Sequence, residues 1–490
     1  MVNFLANLSW IVALFFYVYL IIVLIFIIME NRSADATFSW LFIFLLFPVI
    51  GVVIYILFGR NWRVRSRKKK KFKKILQEEF IETIKPFQDR EQEIINEMIE
   101  GDFSEQSRLI NILKSFRESL FTKNNIVTIL QNGEAKFSAL KDDLEKAQKY
   151  IHMEYFIWRN DNLTNEIKNI LIKKAREGVE IRIIFDPTGS LGLVIKGRNY
   201  LSELRRAGVE IIPFLKSMVR SKIAALNNVN HQKIVIIDGQ IGYTGGMNMG
   251  QEYIDGGVDH EFWRDTHVRI EGEAVLALNA TFVYHWKEIT KESLFKEEYF
   301  INPKPVDNVL PIQVITAGPD SEEEYVRQLY LAMISSAKKE VLIQSPYFIP
   351  DITILEALKF SALSGVDTKV MIAGMSDVKI IKWAASSYLE ELLYAGVKIY
   401  YYNKGFLHAK TISVDSSFCT IGTTNMDLRS FQTSHEVNAV IFDLKTAKKL
   451  KEDFLQDLDD CKEVTLDDYE KINPLIKFRN SLFRLLSPLL

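Results

Sequence analysis

Four polar residue types recur in two separated stretches of the chain. Each second copy lies 177 residues after the first, as from 231 to 408 for histidine. The pairs are His231 and His408, Lys233 and Lys410, Asp238 and Asp415, and Asn248 and Asn425. Apolar runs surround them, as a buried strand requires, but a core strand alone has no need of the polar residues. The repetition therefore predicts two related half-sites.

The local pattern indicates how each half-site is built. Side chains alternate faces along a strand, so His231 and Lys233 share one face while Gln232 points to the other. The apolar run 234–237 follows, which leaves Asp238 where the strand ends. The second copy repeats this arrangement.

The residue types favour one kind of chemistry. If the two halves pack about a pseudo-twofold axis, two imidazoles, two ammonium groups and two amides face one cleft. Such a set suits a phosphodiester anion, because positive charge and directed donors stabilise the charge of the transition state. One histidine would attack phosphorus and form a phosphohistidine, while the other protonates the leaving alkoxide and later deprotonates an incoming alcohol. No metal and no cofactor are expected.

Each imidazole needs a hydrogen-bond partner that fixes its tautomer, often a carboxylate. Asp265 and Glu436 are the candidates, because they follow the two motifs in roughly matching places. The predicted catalytic residues are therefore His231, Lys233, Asp238, His408, Lys410 and Asp415, and the predicted phosphate-binding or supporting residues are Asn248, Asn425, Asp265 and Glu436.

The segments around the motifs alternate between strand and helix patterns. Strand-like runs at 150–158, 179–185 and 209–214 enclose helical patterns, and a similar series begins at Glu340. This order predicts an α/β fold with a mostly parallel sheet and helices on its faces. The first copy carries about eleven extra residues around 216–230, interpreted either as a substrate-gating loop or as a surface loop without a role.

Length and composition set the broad class. A chain of 490 residues is too long for one core. Its 61 basic and 62 acidic residues leave a net charge of −1, which does not indicate a nucleic-acid partner. The only cysteines, Cys419 and Cys461, have no paired spacing, which argues against a disulfide framework or a zinc site and fits a reducing compartment.

The N-terminal part differs from the rest. Two apolar runs, 8–29 and 38–58, are separated by a short polar turn, which predicts a hairpin of two transmembrane helices. Ten Lys or Arg residues and no acid follow between Arg60 and Lys74, so this end and both termini are expected on the cytoplasmic side. The same run would attract anionic lipid headgroups by about 1 kcal/mol per basic residue.

Five segments are predicted. They are a transmembrane hairpin at 1–60, a basic juxtamembrane segment and helical connector at 61–125, a first catalytic domain at 126–300, a second at 301–475, and an amphipathic segment at 476–490 that either packs on the core or lies in the membrane interface.

The doubled motif, His-x-Lys followed after four residues by Asp and then by Gly-x-x-Asn, resembles the phospholipase D superfamily. With the hairpin, and with the stretches 40–61, 260–267 and 484–490, the chain resembles the bacterial cardiolipin synthases over essentially its whole length. The resemblance implies tandem phospholipase D-like α/β/α domains with pseudo-twofold symmetry. It also implies transfer of a phosphatidyl group between two phosphatidylglycerol molecules, with His231 attacking and His408 as general acid and base.

Three positions depart from that family. Gln232 and Val229 stand where arginine is common, and these two lost charges are expected to bear on headgroup preference. Thr423 stands where serine is common and keeps a hydroxyl.

Other functions remain open at this point. They are a hydrolytic phospholipase D that yields phosphatidic acid, a nuclease of the same superfamily, and a catalytically inactive membrane scaffold. The expected partners are phosphatidylglycerol and anionic lipids of the cell membrane, without nucleic acid.

Overall fold

Two mixed β-sheets with flanking helices form the body of the protein. The structure is a computed structural model and describes residues 16–19, 21–25, 27–29, 34–47, 50–51, 55, 90–116, 119–214, 229–257, 260–300, 303, 310–319, 321, 323–375 and 378–487.

The strands in chain order are β1 Phe121–Thr122, β2 Asn125–Gln131, β3 Tyr150–Tyr155, β4 Glu180–Phe185, β5 Glu210–Pro213, β6 Lys233–Ile237, β7 Ile241–Gly245, β8 Trp263–Arg264, β9 Thr266–Gly272, β10 Ile312–Ala317, β11 Glu340–Ser345, β12 Phe348–Ile349, β13 Asp367–Ala373, β14 Lys398–Tyr402, β15 Phe406–Leu407, β16 Thr411–Val414, β17 Phe418–Gly422, β18 Met426–Asp427, β19 Glu436–Ile441 and β20 Cys461–Val464.

The α-helices are α1 Ala34–Leu46, α2 Ser107–Lys114, α3 Asn132–Lys146, α4 Asn162–Arg176, α5 Leu191–Lys196, α6 Arg198–Arg206, α7 Glu252–Asp255, α8 Ala274–Thr290, α9 Tyr325–Ser336, α10 Ile352–Leu363, α11 Lys379–Ser386, α12 Leu389–Tyr394, α13 Leu428–Gln432, α14 Leu444–Asp457, α15 Leu466–Glu470 and α16 Pro474–Arg484.

The two sheets repeat one topology. The first is seven-stranded in the order β2-β9-β7-β6-β3-β4-β5. The second is nine-stranded, and between its edge strands β1 and β20 it runs β10-β19-β17-β16-β11-β13-β14, which is the same order. Each sheet carries one copy of the motif, on β6 and its counterpart β16. The duplicated α/β architecture expected from the sequence is therefore present.

The prediction of a mostly parallel sheet is wrong. Within the two large sheets, only β3, β4 and β5, and their counterparts β11, β13 and β14, are parallel neighbours among the described strands. The other pairs within the repeated order are antiparallel, including β6 with β7. The turn between β6 and β7 spans residues 238–240, which is too short for the crossover that parallel strands need. The alternation of strand and helix patterns correctly predicted only the three parallel strands of each sheet.

The two halves share a core. One apolar cluster contains Ile234 and Ile236 from β6 together with Ile421 and Val437 from the second sheet, each fully buried. A continuous core between domains fixes their relative orientation, as a site built from both of them requires.

The described part of the predicted connector, which begins at residue 90, packs on the second half. Residues 90–100 are helical, and Ile95, Leu113 and Phe121 are buried in the apolar cluster of the second sheet. Strand β1 extends that sheet by pairing with β10. The chain therefore packs on the second half before it enters the first.

Among the described residues, no helix is both long enough and apolar enough to cross a membrane. The predicted spans 8–29 and 38–58 are described only in part, and α1 begins before the second span and overlaps its first nine residues, 38–46. The basic run at 60–74 and most of the insertion at 216–230 lie outside the described residues.

Candidate active site

Both motif histidines lie just before a central strand, at the edge of the sheet where the parallel strands end. Strand β6 begins at Lys233, which pairs with Tyr155, the last residue of β3. In the second half, His408 precedes β16, whose neighbour β11 ends at Ser345. This edge is where α/β sheets usually bind their ligands.

The main chain at each histidine is bonded to the opposite half. The His231 N–H donates to the carbonyl of His435 at 3.0 Å, and the His408 N–H donates to the carbonyl of Arg264 at 2.7 Å. Parallel pairing of β8 with β15, and a bridge between Asn230 and His435, extend these contacts. The residues that carry the imidazoles are thus held by the boundary between the halves.

The side chain of each histidine also pairs with a residue of the opposite half. Nδ1 of His231 lies 3.0 Å from Glu436 Oε1, and Nδ1 of His408 lies 2.7 Å from Asp265 Oδ2. Both carboxylates are fully buried, whereas the imidazole side chains are 12% and 9% exposed. With Nδ1 engaged by a carboxylate, Nε2 is the nitrogen left for a substrate. Each half therefore supplies one histidine and the carboxylate that orients the other.

Further hydrogen bonds fix the carboxylates. The Thr423 hydroxyl donates to Glu436 Oε2, and the Thr266 N–H donates to Asp265 Oδ1 at 2.6 Å. The threonine that replaces the family's serine thus provides the hydroxyl expected of it.

The two lysines are buried at the same point. Nζ of Lys233 donates to the His231 carbonyl at 2.6 Å, and Lys410 makes the equivalent bond to His408. Burial lowers the pKa of Lys233 to about 7, against the opposing pull of the Glu436 charge. An anion bound beside these lysines would favour their charged ammonium forms, because water does not screen the attraction.

The acid–base groups of the site have shifted pKa values. Burial raises the pKa of Asp265 to about 7 and that of Glu436 to about 8. Burial, and then the neighbouring lysines, hold the pKa of both His231 and His408 well below the usual value. In the free site the imidazoles are therefore neutral, as a nitrogen nucleophile must be.

The two asparagines differ in their contacts. Oδ1 of Asn248 accepts from the Ile157 N–H at 3.2 Å, and its Nδ2 donates to the Tyr253 hydroxyl at 2.9 Å. Oδ1 of Asn425 is buried and has no hydrogen-bond partner among the described residues. Asn248 thus holds the loop after β3 through hydrogen bonds, whereas the amide oxygen of Asn425 has no hydrogen bond to the described residues.

The structure does not bring Asp238 and Asp415 to this point, which corrects their predicted catalytic role. Asp238 accepts three main-chain N–H bonds, from Gln148, Lys149 and Tyr150, at 2.7–3.0 Å. Asp415 accepts the equivalent three from residues 338–340. Five residues of strand separate Lys233 from Asp238, about 17 Å. Both aspartates have positive φ angles of 53° and 52° and hold the start of the neighbouring strand.

The departures at 232 and 229 are both buried at the boundary between the halves. The Gln232 side chain donates to the Glu436 carbonyl at 3.0 Å. The main-chain carbonyl of Val229 accepts from the His435 N–H at 3.0 Å. Gln232 therefore contacts the residue that orients His231, and the effect of the two positions on headgroup preference stays a prediction.

Sequence reasoning missed the residues that precede the orienting carboxylates. Arg264 donates from Nε to Asp457 at 2.9 Å, a fully buried ion pair between the halves. Its counterpart His435 lies with its ring 4.9 Å from that of His285, whose Nδ1 contacts Glu154 at 2.7 Å. The sequence did contain an indication of them, because Arg264 and His435 each come directly before a carboxylate that was predicted to orient a histidine.

Aromatic rings surround the two histidines unequally. Phe156 lies 5.0 Å from the ring of His231. Trp263, Phe406 and Tyr253 lie 5.4, 5.7 and 6.0 Å from that of His408. Aromatic rings therefore lie beside both histidines, and more of them lie beside His408.

The geometry agrees with comparisons to known proteins. The family model described as cardiolipin synthase, PLD-like domain matches residues 140–286 and 330–458, and a phospholipase D-nuclease N-terminal model matches residues 15–60. A major cardiolipin synthase of Bacillus subtilis (strain 168) is 39% identical over 98% of this chain and 99% of its own length. Cardiolipin synthase 2 of Bacillus anthracis is 41% identical over 95% of this chain and 88% of its own.

Among solved structures, the phosphatidylserine synthase of Haemophilus influenzae Rd KW20 superposes with a TM-score of 0.58, over 78% of this chain and 99% of its own. At 13% identity this likeness concerns the fold alone. Matches to the family model in both halves, and relatives of about 40% identity across nearly the whole length, give one conclusion: the chain belongs to the family of cardiolipin synthases with phospholipase D-like domains.

Proposed function

We propose that the two crossed histidine–carboxylate pairs transfer a phosphatidyl group from one phosphatidylglycerol to another and release glycerol. The observation that carries this mechanism is the pairing of each histidine with a buried carboxylate of the opposite half. Both imidazoles then present Nε2 to one phosphodiester between two lysines. The printed names of the relatives support cardiolipin as the product.

In the first step, Nε2 of His231 attacks phosphorus and forms a P–N bond while the P–O bond to glycerol breaks. His408 gives its proton to the leaving glycerol oxygen. A bound phosphodiester adds negative charge beside Lys233 and Lys410 and so raises the pKa of His408, which favours the protonated form that this step needs. The two pairs are alike in geometry, and the assignment of attack to His231 follows the family resemblance.

In the second step, His408 removes a proton from the hydroxyl of a second phosphatidylglycerol. The resulting oxygen attacks phosphorus, the P–N bond breaks, and His231 is released. The lysines donate hydrogen bonds to the phosphoryl oxygens and so stabilise the charge that builds on them. Low exposure of both imidazoles and the aromatic rings around His408 favour a lipid alcohol over water as acceptor.

The N-terminal segment is proposed to anchor the enzyme as a hairpin of two spans, with both termini and the catalytic halves in the cytoplasm. The two uncharged apolar runs and the ten basic residues that follow support this topology. The match of residues 15–60 to an N-terminal family model supports a distinct segment there. An anchor would keep the cleft beside its lipid substrate.

Labelling tests the topology. A cysteine at Ser33, in the turn between the runs, should react with a membrane-impermeant maleimide added to intact cells, whereas one at Ser66 should react only after lysis. Both cysteines are introduced into a Cys461→Ser variant, so that the partly exposed Cys461 is not labelled. Equal labelling of both positions before lysis would reject the hairpin.

Product analysis tests the reaction. Purified full-length protein in phosphatidylglycerol vesicles should form cardiolipin and glycerol in equal amounts, resolved by mass. His231→Ala and His408→Ala should each lose on the order of 10⁴-fold in kcat. His152→Ala is a control outside the cleft. Phosphatidic acid as the main product would indicate hydrolysis, and near-normal turnover by either variant would reject the two-histidine mechanism.

The pH dependence follows from the orienting carboxylates. They must be ionised to accept from the imidazoles, and the pKa values of about 7 for Asp265 and about 8 for Glu436 lie above the usual range. Both therefore gain protons as pH falls from 9 to 6, which lowers kcat/KM on the acid side. Lys233, whose pKa is about 7, loses its charge as pH rises, which lowers kcat/KM on the alkaline side. Glu436→Gln should lower kcat on the order of 10⁴-fold and remove the upper of the two titrations.

Asp143→Asn is the matched control for this profile. Asp143 is also a buried carboxylate of the catalytic body, but it pairs with Tyr243 and Arg269. Its substitution should leave the acid limb unchanged. An identical acid limb in native protein and Glu436→Gln would contradict the assigned role of Glu436.

A further inference from the structure

The outer face of the C-terminal helix α16 carries an apolar stripe without a protein partner among the described residues. Leu475, Phe478, Leu482 and Leu485 are 77%, 69%, 44% and 47% exposed. Their spacing of three, four and three residues aligns them on one face of the helix. Large exposed apolar patches of this kind usually mark an interaction surface.

The helix itself is firmly placed. Phe483 packs on Trp383 of α11 with ring centres 4.9 Å apart, and the guanidinium of Arg479 lies 4.4 Å from the Trp383 ring centre. Arg484 lies over Tyr388 and pairs with Glu391 at 3.2 Å. The inner face is thus occupied by packing on the second half, while the apolar stripe faces outward.

The position of α11 connects this stripe with the active-site end of the sheet. Ile381, Lys382 and Ala385 of α11 line one cavity with Pro346 and Phe348, which follow the carboxyl end of β11. Ser345, the last residue of β11, accepts from the N–H of Met426, the neighbour of Asn425. Helix α16 therefore lies on the helix that covers the same end of the sheet as the histidines.

The first half has a related feature. Helix α5 follows β4 as α11 follows β13, so the repeat places it at the equivalent end of the first sheet. Its Leu191, Val194 and Ile195 are 56%, 47% and 67% exposed. Exposed apolar groups thus occur at the cleft ends of both sheets.

The charge of α16 indicates what covers the stripe. Residues 474–484 contain Lys477, Arg479 and Arg484 and no acid. Lys477 and Arg484 also lie 3.8 and 3.2 Å from Glu390 and Glu391 of α12, so the helix adds positive charge beside the stripe while remaining bonded to the second half. A helix with apolar residues on one side and basic residues beside them is the pattern of one that lies in the interface of an anionic bilayer. A protein partner would not need to be near the cleft, whereas a bilayer that supplies the lipid substrate must be.

We propose that the apolar stripe of α16 docks on the anionic membrane surface and, together with α5, sets the cleft against the bilayer. The surface is distinct from the N-terminal segment and from the catalytic residues. This inference rests on the proposed function, because docking on a bilayer is useful only if the cleft takes its substrate from that bilayer.

A depth measurement tests the contact independently of catalysis. In the full chain with Cys461→Ser, Phe478→Cys carries an environment-sensitive fluorophore in phosphatidylglycerol vesicles doped with spin-labelled lipid. Arg176→Cys is the control, since Arg176 is exposed at the end of α4, opposite the cleft end of the first sheet. Quenching at 478 should exceed quenching at 176 several-fold. Equal quenching would overturn the proposal, and would mean that another part of the chain or a second copy covers the stripe.

Kinetics separate this surface from the reaction. Leu475→Ser with Phe478→Ser should raise the apparent KM for vesicle-borne phosphatidylglycerol on the order of tenfold, since two apolar contributions to interfacial binding are lost. Turnover of a dispersed short-chain phosphatidylglycerol should not change. The matched control is Phe360→Ser with Leu363→Ser, both 72% exposed but near the amino end of β13.

Three outcomes are distinguishable. A rise in KM confined to the α16 variant supports docking. An unchanged KM in that variant, or an equal rise in the control, overturns it. Loss of the short-chain reaction in the native protein would instead argue against the proposed function and leave the quenching result to decide docking.

Discussion

A buried carboxylate needs a hydrogen-bonding partner, and in this protein the partner of each orienting carboxylate comes from the opposite half. Glu436 and Asp265 are fully buried, which destabilises their charged forms and raises both pKa values. Each imidazole contact offsets part of that cost. Neither half alone can position its own histidine, so the reaction depends on how the two halves are joined.

The boundary between the halves is accordingly built as a core. The cluster around Ile234 and Val437 excludes water from it. The Arg264–Asp457 ion pair is buried on one side, and the contact of His435 with His285 takes the corresponding place on the other. Removal of one member of a buried ion pair leaves the other charge unsolvated, so such contacts tolerate little displacement. A rigid boundary keeps both histidine–carboxylate pairs in place, as the proposed attack on one phosphodiester requires.

Local patterns sufficed to predict the two half-sites, because the repeated spacing of histidine and lysine reflects strand geometry. They also suggested Glu436 and Asp265 as partners. The crossing could not be read from the sequence, since His231 and Glu436 lie 205 residues apart and nothing local states which carboxylate meets which imidazole. Asp238 was misassigned for a related reason: a residue that holds a strand in both repeats recurs as regularly as a catalytic one. The mixed sheet was missed because the short β6–β7 turn carries no helical signal.

The central claim is that Glu436 serves His231 and Asp265 serves His408, and pre-steady-state kinetics test it most directly. A phosphatidyl ester of p-nitrophenol has a leaving group that needs no general acid, so the first step should depend on His231 and Glu436 alone. Asp265→Asn should give a nearly stoichiometric burst of nitrophenol followed by slow turnover, with the phosphatidyl group found on His231 by mass spectrometry. Glu436→Gln should give no burst. A burst that persists in Glu436→Gln and disappears in Asp265→Asn, with the phosphatidyl group still found on His231, would contradict the crossed assignment.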